Sequence, residues 1–370
     1  MHVLICGGGV IGASIAYFLS RRGVATTVIE STGLACAASG KSGGFLALDW
    51  CDGTSMQMLA RRSFALHARL TEEIGGEWGY RRLTTYGGSA GLGHRGSAHA
   101  ISWLSAEVSM NQRLGSTETT AQVHPAKFTA ALMRVAQAEG AEALIGRVAG
   151  IVFSRGATAL AGVKLDNGAI IEGDVVVIAM GPWSIRAAEW LPLPPVFGLK
   201  GHSLVFEPGA EVPAEALFLE CREDSGAVQT PELFPRTDGT VYVCAISSES
   251  PLPIDPGRVA PDPGATERLQ AICGALSPTL ATAKIAARQA CYRPVTRDGL
   301  PLIGAVAGID GAYIATGHSV WGILNAPATG EAVSELILDG ATRSVDLSPF
   351  SPARFPPFDP AGLRRTTAKH

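Results

Sequence analysis

The chain has 370 residues, a formal net charge of −3 at pH 7 and seven cysteines. Its length suggests two domains, its slightly acidic balance argues against nucleic-acid binding, and no apolar run approaches the ~18 residues of a membrane span. The cysteines are odd in number, scattered and without a C-x-x-C pair, which favours reduced thiols and argues against a disulfide framework or a bound metal.

The chain begins with a strand–helix–strand pattern. An apolar run at residues 3–6 predicts a buried parallel strand, and residues 7–12, GGGVIG, satisfy G-x-G-x-x-G. A helix with apolar residues at helical spacing follows and stops at Gly23, and a second strand at 25–29 ends in Glu30. This complete βαβ unit predicts dinucleotide binding, but the motif alone does not choose between NAD and FAD.

Each part of this unit has a physical role. Gly7 permits the tight turn, Gly9 lets backbone approach a pyrophosphate, and Gly12 lets the helix pack close to the strand. The free N–H groups at the start of the helix attract phosphate. Glu30 can accept hydrogen bonds from a ribose 2′-OH.

The next segment, residues 31–46, is too rich in glycine and other small residues for a regular element. Such a loop lets backbone N–H groups approach a flat ligand closely. The alternative is a flexible surface loop. We expect ligand contact, because the loop directly follows the nucleotide-binding unit.

Helices and strands alternate in the middle of the chain. Apolar spacing predicts helices over residues 54–75 and 125–139. Strands are predicted at residues 80–93, 150–153, 162–165, 169–172 and 175–180. The last of these strands ends in a turn at Gly181 and Pro182, and ligands of open α/β sheets bind at such carboxyl ends.

The composition changes between residues 192 and 283, where prolines cluster and short strand candidates are separated by turns. We interpret this region as an antiparallel sheet inserted into the nucleotide-binding domain. The predicted fold is therefore α/β, with a discontinuous Rossmann-like domain and a second, substrate-binding domain. Their predicted segments are 1–80, 123–195 and 285–345 for the first domain, 81–122 and 196–284 for the second, and 346–370 for a surface tail.

The last informative segment begins at residues 290–304, ACYRPVTRDGLPLIG. A strand at 313–315 then leads into a glycine-rich turn, and a helix over 326–338 follows. The N-terminus of this helix points towards a strand end, where it can stabilise an anionic edge of a cofactor.

Four pieces, residues 7–12 with Glu30, 176–184, 293–304 and 317–327, occur in order over nearly the whole chain. Together they resemble the D-amino acid oxidase superfamily of flavoproteins, which includes glycine oxidase and monomeric sarcosine oxidase. The resemblance implies FAD rather than NAD, in a glutathione-reductase-type fold whose inserted sheet covers the reactive face of the flavin. The sequences of residues 291–294, CYRP, and 321–327, WGILNAP, look closest to those of a fungal and plant branch of this superfamily.

The resemblance also implies which residues contact FAD. They are Gly7, Gly9, Val10, Ile11, Gly12, Glu30, Ser39, Gly40, Lys41, Ser42, Gly43, Gly44, Phe45, Val148, Gly181, Trp183, Cys291, Gly317, His318, Val320, Trp321, Gly322 and Ile323. Within this set, His318 is interpreted as a flavin-loop contact rather than a catalytic base.

Arg293 occupies the position whose counterpart in the family pairs with the substrate carboxylate, a task that suits a guanidinium fork. The alternative is a structural ion pair with Asp298 or a bond to a backbone carbonyl. Trp321 is a candidate wall of the substrate pocket, with core or flavin packing as its alternative. Lys41 is the only cation in the loop at 39–45 and is a candidate residue near the flavin.

Cys291 precedes Asp298 by the spacing at which sarcosine oxidase bonds a cysteine to the flavin 8α-methyl group. Glycine oxidase holds FAD without a covalent bond, and a small buried cysteine is common in protein cores. A covalent link and a core residue therefore both stay open for Cys291. Leu324 stands where sarcosine oxidase has a lysine, which argues against sarcosine as the substrate.

The chemistry implied by the resemblance is hydride transfer from a carbon bearing a neutral amine to flavin N5, with hydrolysis of the imine and reoxidation by O2 to give H2O2. One alternative is an FAD-dependent dehydrogenase with another electron acceptor, and another is a low-turnover FAD-holding sensor or interaction protein. We expect a small amine or amino acid and O2 as partners. Because no signal peptide precedes the first strand, we expect a cytoplasmic protein, or an organellar one if a transit peptide has been removed.

Overall fold

The computed structural model describes residues 1–91, 101–154, 159–209, 211–223 and 225–361. The strands are β1 His2–Cys6, β2 Ala25–Glu30, β3 Phe45–Ala47, β4 Arg81–Arg82, β5 Thr84–Ala90, β6 Val108–Gly115, β7 Thr120–Gln122, β8 Glu142–Ile145, β9 Val148–Phe153, β10 Leu160–Leu165, β11 Ile170–Glu172, β12 Val175–Ile178, β13 Phe197–Glu207, β14 Glu215–Arg222, β15 Val228–Gln229, β16 Glu232–Pro235, β17 Val241–Ser248, β18 Lys284–Val295, β19 Leu302–Ala305 and β20 Ala312–Thr316. The α-helices are α1 Val10–Ser20, α2 Gln57–Ile74, α3 Pro125–Ala138, α4 Ala265–Leu276, α5 Pro278–Thr282 and α6 Gly322–Asp339. None of the helices in these described stretches is long and apolar enough to cross a bilayer.

A six-stranded sheet with the order β19-β20-β12-β1-β2-β8 organises the N- and C-terminal parts of the chain. All neighbouring strands are parallel except β19, which is antiparallel to β20. Its central strands are apolar on both faces because helices α1, α2, α3 and α6 pack on one face and the ribbon β9–β11 packs on the other. The carboxyl ends of β1, β2, β12 and β20 therefore meet at one edge.

The second large sheet has eight strands in the order β18-β13-β17-β16-β14-β5-β6, with β15 paired to β14. All its pairs are antiparallel except β14 with β5. Helix α4 packs on one face of this sheet. Leu269 of the helix and Phe206 of β13 belong to the same apolar core. The opposite face carries Phe234, Tyr242 and Cys244 and is turned towards the first sheet.

Strand pairing differs from the predicted domain division at one boundary. Residues 285–295 were assigned to the nucleotide-binding domain, but they lie in β18, which pairs with β13 in the eight-stranded sheet. The segment at 290–304 therefore begins in the second sheet and ends in the first. The motif that identifies it is continuous in sequence, which hides this change of sheet. The domain division as a whole stays a prediction.

The predicted surface tail is attached to the core in its described part, although most of its residues are exposed or half-buried. Leu347 and Phe350 are buried in the same apolar core as α1 and α6. The Arg354 guanidinium donates to the Asp298 carboxylate at 2.8 and 3.1 Å. The segment carries many prolines and no helical or strand periodicity, so its pattern resembles a loop, whereas single apolar side chains fasten it to the core.

Candidate active site

A cleft runs from the carboxyl edge of the six-stranded sheet to the facing side of the eight-stranded sheet. Gly9, Glu30 and Gly181 line it at the first sheet, and Glu232 and Arg293 line it at the second. Parallel α/β sheets bind ligands at this edge. The cleft thus joins the two regions that the sequence predicts to hold a cofactor and a substrate.

Most of the residues predicted to contact the cofactor come together here. Those that line the cleft are Gly7, Gly9, Val10, Ile11, Glu30, Ser39, Ser42, Gly43, Val148, Gly181, Trp183, Cys291, His318, Val320, Gly322 and Ile323. Those that lie outside its lining are Gly12, Gly40, Lys41, Gly44, Phe45, Gly317 and Trp321. The contacts of the second group, described below, are mainly with the protein itself.

The glycine-rich turn is shaped by close packing. Gly7 has φ of +117°, and a Cβ atom there would overlap the carbonyl oxygen of Ala179. A Cβ atom on Gly12 would overlap the Gly7 carbonyl oxygen, so Gly12 serves the packing of α1 rather than the cleft surface. The Ser39 hydroxyl accepts a 2.9 Å hydrogen bond from the Val10 amide at the start of α1.

The Glu30 carboxylate is fixed at the end of β2. It accepts hydrogen bonds from the amides of Gly8 at 2.7 Å and Thr32 at 3.0 Å. The Ser31 hydroxyl donates to the same carboxylate at 3.2 Å. These bonds hold Glu30 beside the cleft in a defined position, as a ribose contact requires.

The small-residue loop after β2 contains a short 3-10 helix, Ala38–Gly40. Ser39, Ser42 and Gly43 line the cleft, and the buried Ser42 hydroxyl has no partner in the described structure. Gly40 and Gly44 instead allow close passage of neighbouring backbone, since a Cβ atom on either would overlap a carbonyl oxygen. Only part of this loop therefore faces the cleft.

Lys41 and Phe45 link this loop to the eight-stranded sheet. The Lys41 carbonyl accepts a 3.0 Å hydrogen bond from the Tyr242 hydroxyl. The Phe45 ring packs on Phe218, with centroids 5.0 Å apart, and stacks on Phe234 at 5.6 Å. These contacts fix the separation of the two sheets behind the cleft.

The turn after β12 also lies at the cleft. The Gly181 carbonyl accepts a 2.9 Å hydrogen bond from the Thr316 hydroxyl at the end of β20. The buried Trp183 indole donates to the Pro253 carbonyl at 2.7 Å. Trp183 therefore connects this turn to the long loop that follows β17.

His318 is buried between β20 and α6. Its Nε2 atom forms a 3.1 Å hydrogen bond with the Thr329 hydroxyl, while its buried Nδ1 atom has no partner in the described structure. Burial lowers the pKa of His318 to about 3, so the ring is neutral near pH 7. A neutral ring facing the cleft is suited to hydrogen bonding rather than to carrying a positive charge.

In the loop between β20 and α6 and in the first turn of α6, some residues line the cleft and others pack against the rest of the protein. Gly317 has φ of +79° and packs against Thr296. Trp321 lies next to Trp50, with ring centroids 6.3 Å apart. Leu324, at the start of α6, is buried.

His67 of α2 holds the start of α6 and was not identified from the sequence. Its Nε2–H group faces the carbonyl oxygens of Ile323 at 2.9 Å and Leu324 at 3.2 Å. Burial lowers the pKa of His67 to about 4. No sequence pattern indicated this role, because a single histidine on an apolar helix face is usually an ordinary core residue.

Arg293 opens into the cleft from β18. Its Nη1 atom lies 3.4 Å from the Ser247 hydroxyl, which is a long hydrogen bond. The predicted alternative, an ion pair with Asp298, is wrong, because Asp298 pairs with Arg354 instead. The guanidinium fork thus keeps donors available for an anionic ligand.

Cys291 lies on the same face of β18 as Arg293 and also lines the cleft. Burial raises the pKa of the Cys291 thiol, and the positive charges of Arg293 and Lys41 oppose this shift. The thiolate, which is the nucleophilic form, is therefore disfavoured at neutral pH. Covalent attachment of the flavin at Cys291 stays a prediction.

Three further residues that the sequence did not identify line the same end of the cleft. Glu232 in β16 lies opposite Cys244 in β17, and Tyr242 is two residues from Cys244 along the same strand. The sequence predicts that turns separate the short strands of this region. Such a turn shows that a hairpin exists, but only the observed register shows which side chains face the cleft.

The residues present fit a flavin dinucleotide. Two buried polar atoms, Ser42 Oγ and His318 Nδ1, lack partners among the described residues and belong to cleft-lining side chains. A buried polar group without a partner is costly, so both atoms favour a polar ligand between them. The N-terminus of α1 suits a pyrophosphate, and Glu30 suits a ribose.

The fold and this cleft define a dinucleotide-binding α/β protein whose second sheet covers the far end of the site. The family model described as "FAD dependent oxidoreductase", DAO, matches residues 2–336. The chain belongs to this family and is an FAD-dependent oxidoreductase. The predicted α/β class, the Rossmann-like arrangement and the FAD cofactor are thereby confirmed.

Similar proteins span nearly the whole chain. Schizosaccharomyces pombe protein C1F5.03c, which carries the name oxidoreductase, is 30% identical over 95% of this chain and 97% of its own. Glycine oxidase of Bacillus licheniformis is 29% identical over 95% and 96%. The crystal structure of glycine oxidase from Geobacillus kaustophilus aligns with a TM-score of 0.80 at 23% identity, covering 95% of this chain and 98% of that one.

Proposed function

We propose that the protein oxidises the C–N bond of a small amine or amino acid. Bound FAD supplies the hydride acceptor at N5, and the imine product is hydrolysed by water. O2 then accepts the electrons and leaves as H2O2. Similarity to glycine oxidases supports this reaction class.

The observation that carries the proposal is the position of Arg293. It projects into the cleft from the eight-stranded sheet, and in the described structure its hydrogen bond is the long one to Ser247. A guanidinium can bind a carboxylate with two parallel hydrogen bonds. Arg293 would thus anchor the substrate while the cofactor lies along the six-stranded sheet.

Other residues of the chain hold the two sides of the cleft in position. Phe45, Phe218 and Phe234 pack together between the two sheets. This apolar contact joins the loop at residues 31–46 to the eight-stranded sheet and so helps to fix the two sides of the cleft. The proposed catalysis depends mainly on holding the reacting carbon beside the acceptor.

Anaerobic mixing of the FAD-loaded protein with individual amines and amino acids tests the proposal. Loss of flavin absorbance with at least one compound, followed by peroxide formation on admission of air, is the expected result. Rapid reduction with slow reoxidation in air would indicate a dehydrogenase with another acceptor. The absence of reduction by every compound would favour an FAD-holding sensor and contradict the proposal.

An arginine substitution with a matched control tests the anchor. Arg293→Lys should raise the concentration of a carboxylate substrate needed for half-maximal reduction by about tenfold or more. Arg297→Lys, at an exposed position four residues along, should leave it unchanged. If both substitutions change this concentration equally, Arg293 does not bind the substrate carboxylate.

A further inference from the structure

Glu232 and Arg293 place opposite charges at the same end of the cleft. Glu232 comes from β16 and Arg293 from β18, and both side chains line the cleft. They do not pair directly with each other in the described structure. Instead, Arg293 has its long bond to Ser247, and Glu232 Oε2 accepts a 3.5 Å bond from the Cys244 thiol.

Glu232 is thus a half-buried carboxyl group with a weak partner. A thiol is a poor hydrogen-bond donor. Burial raises the pKa of Glu232, and Arg293 lowers it by a smaller effect. Among the described residues Glu232 forms no ion pair, and a carboxylate removed from water is costly without one, so a positively charged ligand group beside it would be stabilising.

We propose that Glu232 binds the amino group of the substrate while Arg293 binds its carboxylate. The site would thereby select zwitterionic amino acids over simple amines and over carboxylic acids. This inference rests on the proposed function and narrows its substrate class from amines in general to amino acids.

The charge arrangement explains the selection. A zwitterion presents an ammonium group and a carboxylate on the same carbon, and each finds an opposite charge in the cleft. The bound ammonium passes one proton to the Glu232 carboxylate before the hydride leaves, since oxidation requires the neutral amine. A simple amine leaves Arg293 without an anion, and a carboxylic acid leaves Glu232 without a cation. In a site removed from water, each unmatched charge lowers affinity.

Matched ligand pairs test the role of Glu232 on the FAD-loaded protein. Glycine is compared with acetate, alanine with propionate, and proline with cyclopentanecarboxylate, since each acid lacks only the amino nitrogen. Binding of each acid is followed through the flavin absorbance. Binding of each amino acid is followed by anaerobic equilibrium dialysis, which allows at most one turnover per flavin.

Glu232→Gln should weaken binding of the amino acid by about tenfold or more, whereas binding of the matched acid should stay unchanged or become tighter. Glu220→Gln, on the exposed side of β14, is the matched control and should alter neither. Glu232→Asp, which keeps the charge, should retain the preference for the amino acid. Loss of this preference in Glu232→Asp would contradict the inference, so the test can be made even if the Gln variant does not fold.

The outcomes separate this inference from the proposed function. Equal effects of Glu232→Gln on both members of a pair, or none on either, would overturn the role of Glu232 alone, provided that Arg293→Lys still weakens binding of the acid. If the wild-type protein binds no member of any pair and no amine or amino acid reduces its flavin, both proposals fail.

Discussion

The hydroxyl of Ser39 accepts a 2.9 Å hydrogen bond from the backbone amide of Val10, the first residue of α1. Gly9, the residue before this helix, has no side chain with which to cap it. Ser39 therefore acts as a cap supplied from a distant loop. It connects the ordering of residues 31–46 to the helix terminus that faces the cleft.

Ser39→Ala should lower the free energy of unfolding by about 1 kcal/mol, because it removes a helix cap. It should also weaken FAD binding, since the loop and the phosphate-facing terminus lose a shared bond. Urea denaturation and titration of the apoprotein with FAD measure the two effects. Ser154→Ala, at an exposed position far from α1, serves as control. If Ser39→Ala equals the wild type in both measurements, the Ser39 hydroxyl does not stabilise the start of α1.

Acid precipitation should release FAD into the supernatant. Burial raises the pKa of Cys291, so the thiolate needed for attack on the flavin is scarce at neutral pH. Cys291→Ser should give the same distribution of flavin as wild type. A yellow wild-type pellet together with a colourless Cys291→Ser pellet would instead establish a covalent bond at this residue.

Stability should fall as the pH is lowered from about 6.5 to about 4 because of His67. Burial lowers its pKa in the folded protein from 6.5 to about 4. Within this window the unfolded chain binds a proton that the folded protein does not, which favours unfolding by up to about 1.4 kcal/mol per pH unit. Urea denaturation at several pH values should show a smaller slope for His67→Asn. An unchanged slope would argue against this origin.

Phe350→Ala should destabilise the protein by about 3 kcal/mol, because the side chain is fully buried. Phe197→Ala, where the ring is 44% exposed, should cost less than about 1 kcal/mol. Tryptophan fluorescence during urea denaturation compares the two. If both variants lose less than about 1 kcal/mol of unfolding free energy, the segment after α6 does not contribute to the core in solution.

The sequence identifies the parts of the site that are encoded locally. The turn at residues 7–12 and Glu30 belong to one short unit whose geometry follows from its residue spacing, and both line the cleft. Glu232 could not be identified in this way, because its orientation depends on the pairing of β16 with β17. The roles of Gly40 and Phe45 in packing depend likewise on neighbours from distant segments.

Phe350 illustrates a second limit of prediction from sequence. Its segment lacks periodicity, so local pattern cannot distinguish a solvent-exposed tail from one whose side chains fill a groove between helices. Burial is decided by the shape of the surface on which the segment lies. The local pattern therefore does not show which apolar side chains of this irregular segment are buried.

The central strand β12 has β1 on one side and β20 on the other, and α6 packs against α1. Helix α1, one of the first elements to leave the ribosome, therefore finds one of its final neighbours, α6, among the last. A nascent chain can form its glycine-rich turn early, but the cleft-lining loop at residues 318–323 and α6 are complete only once residue 339 has emerged. The complete cleft thus exists only after synthesis of almost the entire protein.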